Sequence, residues 1–76
     1  MNEQILNRVR EIAGDVLGAN VNAESSPATV ESWDSVRHLN LILALEEEYG
    51  LQFLPEEMDE VKSIGTIARL VAAKRA

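Results

Sequence analysis

Apolar residues recur every three or four positions through residues 2–18, the spacing that lines one face of an α-helix. This pattern predicts a first helix, with Asn2 placed to cap its start and Gly18 suited to the left-handed residue that ends it. Residues 64–71 repeat the spacing and predict a last helix, for which Ser63 can act as the cap.

The segment between residues 19 and 34 is rich in Asn, Ser, Thr and Pro and poor in apolar side chains. It therefore predicts a long loop. A loop of this length in so short a chain is typically either functional or partly disordered. We expect Val21, Val30 and Trp33 to attach it to the core.

Residues 35–49 contain neither Gly nor Pro and are dense in Leu, Ala and Glu, which favours a second helix. A rotation of about 100° per residue places its apolar residues on two nearly opposite faces. A small bundle buries one face, so the other packs under a loop, contacts a ligand or meets another protein. The first face holds His38, Leu41, Ile42, Leu45 and Tyr49; the second holds Val36, Leu39 and Leu43, flanked by Asn40, Glu46 and Glu47.

Gly50 ends the second helix, and Pro55 followed by Glu56 and Glu57 favours a short third helix at most. The four segments together predict an all-α fold: a small four-helix bundle with a long loop between the first two helices and a short third helix. We expect residues 1–76 to form one domain, because a chain this short cannot build two independent cores.

The composition agrees with a helical core, since 46% of the residues are apolar and only 4% are aromatic. The chain has no cysteine, so neither a disulfide framework nor a thiolate metal site is expected. It has no apolar run near the roughly 20 residues of a membrane span, and its start lacks the plan of a secretory signal. The expectation is a soluble, cytoplasmic monomer with no membrane association.

Negative charge is concentrated in the middle of the chain. The formal net charge is −6, and residues 31–61 hold nine acidic residues against one base, Arg37. Nucleic acid is therefore not an expected partner, because phosphate binding depends on Lys and Arg. The charge fits either a solvated surface or a surface that docks a basic protein.

The sequence offers little catalytic chemistry. His38 follows Ser35 by three residues and could imitate a Ser-His pair, but no Gly-rich oxyanion loop or orienting carboxylate accompanies it. We therefore expect a neutral, buried or half-buried histidine and no enzyme activity. Consecutive helix positions such as 46–48 point about 100° apart, so their three carboxylates cannot converge on one metal ion.

Asp34 and Ser35 end the loop and begin the second helix, where a polar pair usually serves as an N-cap. The sequence Trp-Asp-Ser-Val at residues 33–36, continuing to Leu-Glu-Glu-Glu-Tyr at residues 45–49, resembles the acyl carrier protein family. The signature of that family is Asp-Ser-Leu followed by a helix ending in Leu-Glu-Glu-Glu-Phe. The order of helices and loops extends the resemblance over the whole chain.

The resemblance implies that a phosphopantetheinyl transferase attaches 4′-phosphopantetheine from coenzyme A to Ser35, and that Asp34 assists this attachment. The thiol of the arm then carries acyl or aminoacyl groups as thioesters. The resemblance also implies that the second helix docks the loading and processing enzymes through an apolar strip and pairs with their basic residues. The implied docking residues are Val36, Leu39, Asn40, Leu43, Glu46 and Glu47.

Trp33, Arg37 and Asn40 depart from the residues common in fatty-acid carriers and favour a discrete carrier of a specialised pathway. Two alternatives from other classes remain open on the sequence. One is an unmodified acidic adaptor that docks a basic partner through the second helix. The other is a hydrolase built on Ser35 and His38.

Overall fold

Three α-helices and one 3₁₀ helix make up the regular structure of the computed structural model, which describes residues 3–75 apart from the side chain of Asp59. Asn2, the predicted cap of the first helix, lies outside the described residues. Within the described part of the chain, no helix has the length and apolarity needed to cross a membrane. The helices are α1 (Glu3–Leu17), α2 (Ser35–Tyr49), the 3₁₀ helix (Pro55–Glu60) and α3 (Ile64–Arg75).

The described residues form only helices, as predicted. The predicted short third helix is a 3₁₀ helix, so the structure has three α-helices and not the four helices of the predicted bundle. The six residues of the 3₁₀ helix, Pro55–Glu60, are too few to benefit from an i to i+4 ladder, so the turns tighten. The Glu57 backbone N–H donates to the Leu54 carbonyl at 2.9 Å, and the Leu54 N–H donates to the Glu57 carboxylate at 2.7 Å. Glu57 also pairs with Lys74 of α3 at 2.7 Å, which fixes this short helix to the last one.

The core lies where α1 packs against both α2 and α3. Its fully buried side chains include Leu41 and Leu45 from α2, and Ile64 and Ile67 from α3. All belong to the apolar stripes that the sequence predicts for these helices. The core therefore uses one face of α2 and leaves the opposite face outside it.

Glycines end two helices as predicted. Gly18 has φ of 66° and Gly50 has φ of 61°, the left-handed conformation that residues with a side chain rarely adopt. At the other end of the chain, the Ser63 hydroxyl accepts a hydrogen bond from the Thr66 N–H at 3.2 Å, which confirms Ser63 as the cap of α3.

The long loop after α1 is attached to the helices at both ends. The Ser32 hydroxyl donates to the Leu17 carbonyl at 2.8 Å, at the end of α1. The carbonyl of Ala23 accepts the Gly65 N–H at 2.8 Å, in the first turn of α3. Val21 and Trp33 are buried and Val30 is half-buried, as expected. These contacts fix the path of the loop as it leads to the amino end of α2.

Candidate functional site

Asp34 is the N-cap of α2. Its backbone is extended, with φ of −95° and ψ of −175°, and its Oδ1 accepts the Arg37 N–H at 2.9 Å. Its Oδ2 accepts the Arg37 guanidinium Nη1 at 3.2 Å. The backbone hydrogen bond from Arg37, together with the nearby guanidinium, holds the pKa of the Asp34 carboxyl below its usual value. Both carboxylate oxygens are therefore held, which rigidifies the start of the helix.

Ser35 is the first residue of α2 and is exposed to solvent. The chain has five serines, and the other four are all half-buried. The backbone N–H groups of a first helical turn have no partner within their helix, and they favour an anion at that end. Ser35 is therefore an exposed serine at a helix end that favours an anion.

Trp33 and His38 flank this serine in the sequence. Trp33 is buried and its indole Nε1–H donates to His38 Nδ1 at 2.9 Å. His38 is half-buried, as expected, and burial lowers its pKa. Its Nδ1 is thus committed to the indole. The hypothesis of a Ser35–His38 catalytic pair finds no support in this arrangement.

The outward face of α2 is apolar and exposed. Val36, Leu39 and Leu43 are 68%, 55% and 53% exposed, respectively, so they do not pack beneath a loop. Asn40 and Glu47 are exposed on the same helix. The predicted strip therefore faces solvent, starting one residue after Ser35.

The three consecutive glutamates of α2 have different surroundings. Glu48 forms a two-pronged ion pair with Arg8 of α1, both contacts at 3.1 Å. Glu46, expected on the docking surface, is half-buried, and its Oε2 accepts the Phe53 N–H at 2.8 Å. Glu47 is exposed and has no ion pair with another described residue. Of the two docking glutamates that the sequence suggested, only Glu47 is thus directed to solvent without an internal role.

Several features of this region were not predicted from the sequence, and two of them differ in whether the sequence carried a signal. The Asp34–Arg37 ion pair had a signal, because the residues lie three apart across the first helical turn. Leu54, 46% exposed in the segment before the 3₁₀ helix, had none, because it belongs to no apolar repeat. Leu54 adds a fourth large apolar side chain to those that the described surface exposes.

No family model matches the chain, but known proteins are similar to it in sequence. An acyl carrier protein from Clostridium acetobutylicum is 32% identical over 72 residues, which cover 91% of this chain and 94% of that protein. This chain belongs to the acyl carrier protein family. An acyl carrier protein from Thermosynechococcus vestitus is 34% identical over 74 residues, covering 93% of this chain and 91% of that protein.

The fold is also that of a solved acyl carrier protein. The solution NMR structure of the holo acyl carrier protein from Geobacter metallireducens matches with a TM-score of 0.83 and 32% identity, over 92% of this chain and 84% of that one. Acyl carrier proteins are carriers and not enzymes, so the hydrolase hypothesis is set aside. An acyl carrier function agrees with the thin catalytic inventory of the site.

Proposed function

We propose that this acyl carrier protein bears 4′-phosphopantetheine on Ser35 and presents acyl or aminoacyl thioesters on that arm to partner enzymes. The observation that carries the proposal is that Ser35 is exposed at the amino end of α2, whereas the other four serines are half-buried. When bound, the arm supplies a thiol that holds the cargo. The protein itself tethers the cargo and thereby raises its effective concentration at each partner.

The residues around Ser35 suit a phosphodiester. The first turn of α2 offers backbone N–H groups and the positive end of the helix dipole. Asp34 would repel the phosphate, but its carboxylate already accepts two hydrogen bonds from Arg37. Arg37 therefore offsets the negative charge of the cap next to the serine. This local neutralisation supports Ser35 as the attachment residue.

The outward face of α2 supports a docking role. We propose that Val36, Leu39 and Leu43 contact an apolar patch on each partner, with Asn40 at the side and Glu47 paired with a basic residue. The Glu46 carboxylate is engaged by the Phe53 N–H, so its contribution to docking is the smaller one. Partners would therefore be recognised by apolar contact first and by charge second.

The proposed partners are a phosphopantetheinyl transferase and cytoplasmic enzymes that load and process the cargo. Arg37 and Asn40 replace acidic or small residues near the serine and make that end of the docking face less negative. Together with Trp33 before the Asp-Ser pair, they favour partners of a specialised biosynthetic pathway over those of general fatty-acid synthesis.

Intact mass spectrometry tests the attachment directly. The purified apo protein is incubated with coenzyme A, magnesium and a promiscuous phosphopantetheinyl transferase, and we expect the mass to rise by one phosphopantetheine. Ser35→Ala should remain unmodified, whereas Ser26→Ala, which alters a half-buried loop serine, should be modified like the wild type. A folded wild-type protein that several such transferases leave unchanged would refute the proposal.

The same variant separates the carrier from an unmodified adaptor. Ser35→Ala removes an exposed hydroxyl and should leave the fold intact. A carrier loses its function with this change, whereas an adaptor that only docks a basic partner keeps it. Complementation of a strain that depends on the protein gives the measurement.

A further inference from the structure

The side chains of Trp33 and His38 contact each other across the segment that contains Ser35. The Trp33 indole, 4% exposed, donates to His38 Nδ1 at 2.9 Å, and the two ring planes are 25° apart with centroids separated by 6.0 Å. The His38 backbone N–H also donates to the Asp34 carbonyl at 2.8 Å. A side-chain and a main-chain hydrogen bond therefore span the segment that holds the exposed serine.

The indole bond requires a neutral imidazole. The indole N–H is a donor only, and Nδ1 accepts a hydrogen bond only while it carries no proton. Burial is the cause that lowers the pKa of His38, and none of the ion pairs among the described residues involves this side chain. The nearest charges along the chain, Asp34 and Arg37, pair with each other. The positive end of the α2 dipole also disfavours a cation at this position.

The bond fixes how the chain reaches the cap of α2. Trp33 directly precedes Asp34, and its buried indole has in His38 the acceptor that a buried N–H needs. A buried donor left without a partner is costly, so loss of the acceptor would favour other positions of the indole. Movement of Trp33 would displace Asp34 and Ser35, because they follow it without an intervening residue.

We propose that His38 is a positioning residue for phosphopantetheine attachment: by accepting the Trp33 indole, it holds Asp34 and Ser35 in the conformation that the transferase recognises. This inference rests on the proposed function of Ser35. If the competent conformation is only partly populated, the apparent affinity of the transferase falls by that fraction. The effect therefore belongs in the KM for the carrier more than in kcat.

Competition between variants measures the effect. Wild type and one variant are mixed with limiting transferase, and the ratio of their modified masses gives relative kcat/KM in a common reaction. Trp33→Phe and His38→Leu, which remove the donor and the acceptor, should each lose about fivefold, the value of one hydrogen bond. The double variant should lose no more than either single one, and His38→Asn, which keeps an acceptor, should stay near wild type.

A pH series adds a readout that mere packing would not move. As the pH falls below the ordinary histidine pKa of 6.5 and through the lower pKa that burial gives His38, wild type should be modified progressively less well than His38→Asn, which does not titrate. The pH response of the transferase is common to both proteins and cancels. A ratio that stays constant while the His38 ring itself titrates, as followed by NMR in the same buffers, would contradict the positioning role.

NMR observes the bond without the transferase. Trp33 is the only tryptophan, so the protein gives one indole N–H resonance. It should be protected from solvent exchange in wild type and His38→Asn, and exposed to exchange in His38→Leu. If wild type is modified but Trp33→Phe and His38→Leu compete equally with it, the inference alone is overturned. If no transferase modifies folded wild type, the proposed function falls and the inference with it.

Discussion

The inner face of α2 places Leu41, Ile42 and Leu45 in the core, with at most 4% of each exposed. The outer face of the same helix leaves each of its apolar side chains more than half exposed. The three buried residues of the inner face and the three exposed apolar residues of the outer face are all aliphatic, so hydrophobicity alone does not decide which face is buried. The number of elements available to cover them decides it: α1 packs on the inner face, and residues 3–75 form no further helix that covers the outer one.

The glutamates of α2 divide in a similar way. Glu46 accepts a backbone N–H and Glu48 pairs with Arg8, so both stabilise the fold. Glu47 lies between them and is exposed to solvent. Adjacent residues of one type thus serve the fold or remain available to a partner according to the direction in which they project. Stability and recognition can therefore be changed separately within a single helix.

Matched truncations on the two faces should give the largest contrast. Leu45→Ala removes a side chain with no exposed surface and should lower the free energy of unfolding by about 2–5 kcal/mol. Leu43→Ala, on the outer face, should change it by no more than about 0.5 kcal/mol. Urea denaturation followed by circular dichroism gives both values. Equal losses at the two positions would mean that the outer face is packed after all.

A charge on the outer face should impair docking and spare the fold. Leu39→Asp keeps an exposed position exposed, but it opposes an apolar contact with a partner, so kcat/KM for transferase modification should fall about tenfold. The thermal midpoint should stay close to that of wild type. Asn40→Asp, also exposed but outside the apolar strip, is the control and should lose less. A fall in midpoint comparable to that of Leu45→Asp would contradict the division between the faces.

The sequence predicts the features that depend on neighbours within a turn. The cap at Asp34, the helix end at Gly50 and the two faces of α2 all follow from residue type and helical spacing. The bond from Phe53 to Glu46 could not be predicted, because it requires the chain to turn back after Gly50 at a particular angle. The Trp33–His38 bond is different: it joins the residue before the N-cap to the fourth residue of α2, a pairing that recurs at helix starts, so its spacing carried a signal from which it could have been predicted.

The type of the helix at residues 55–60 is another feature that the residue pattern does not predict. Pro55 and the acidic residues after it signal a helical start correctly, but a sequence pattern does not distinguish i+3 from i+4 pairing over six residues. Sequence pattern also does not show that Glu57 accepts the Leu54 N–H and pairs with Lys74, contacts that anchor the segment at its first turn. This anchor requires α3 to be in place.

The glutamates of α2 provide a smaller test of the comparison. Glu46→Ala leaves the Phe53 N–H, part of a buried residue, without its acceptor and should cost about 1 kcal/mol of unfolding free energy. Glu47→Ala should leave stability within about 0.5 kcal/mol and weaken transferase binding instead. Denaturant titration and modification kinetics separate the two outcomes. If Glu46→Ala were as stable as wild type but bound the transferase poorly, Glu46 would belong to the docking face and not to the fold.

The smallest expected effect is on the stability of the fold at acid pH, and it does not involve the outer face of α2. The hydrogen bond from Lys74 lowers the pKa of the Glu57 carboxyl below its ordinary value of 4.5, because the folded protein favours the ionised form. The folded state therefore binds fewer protons than the unfolded chain, and stability falls as the pH drops from that value through the folded pKa. Glu57→Gln cannot titrate, so its thermal midpoint should fall less steeply than that of wild type across this acid range. Glu47→Gln, which removes an exposed carboxylate without an ion pair among the described residues, is the matched control. If both variants give the same slope, the Glu57–Lys74 pair contributes nothing to the pH response of the fold.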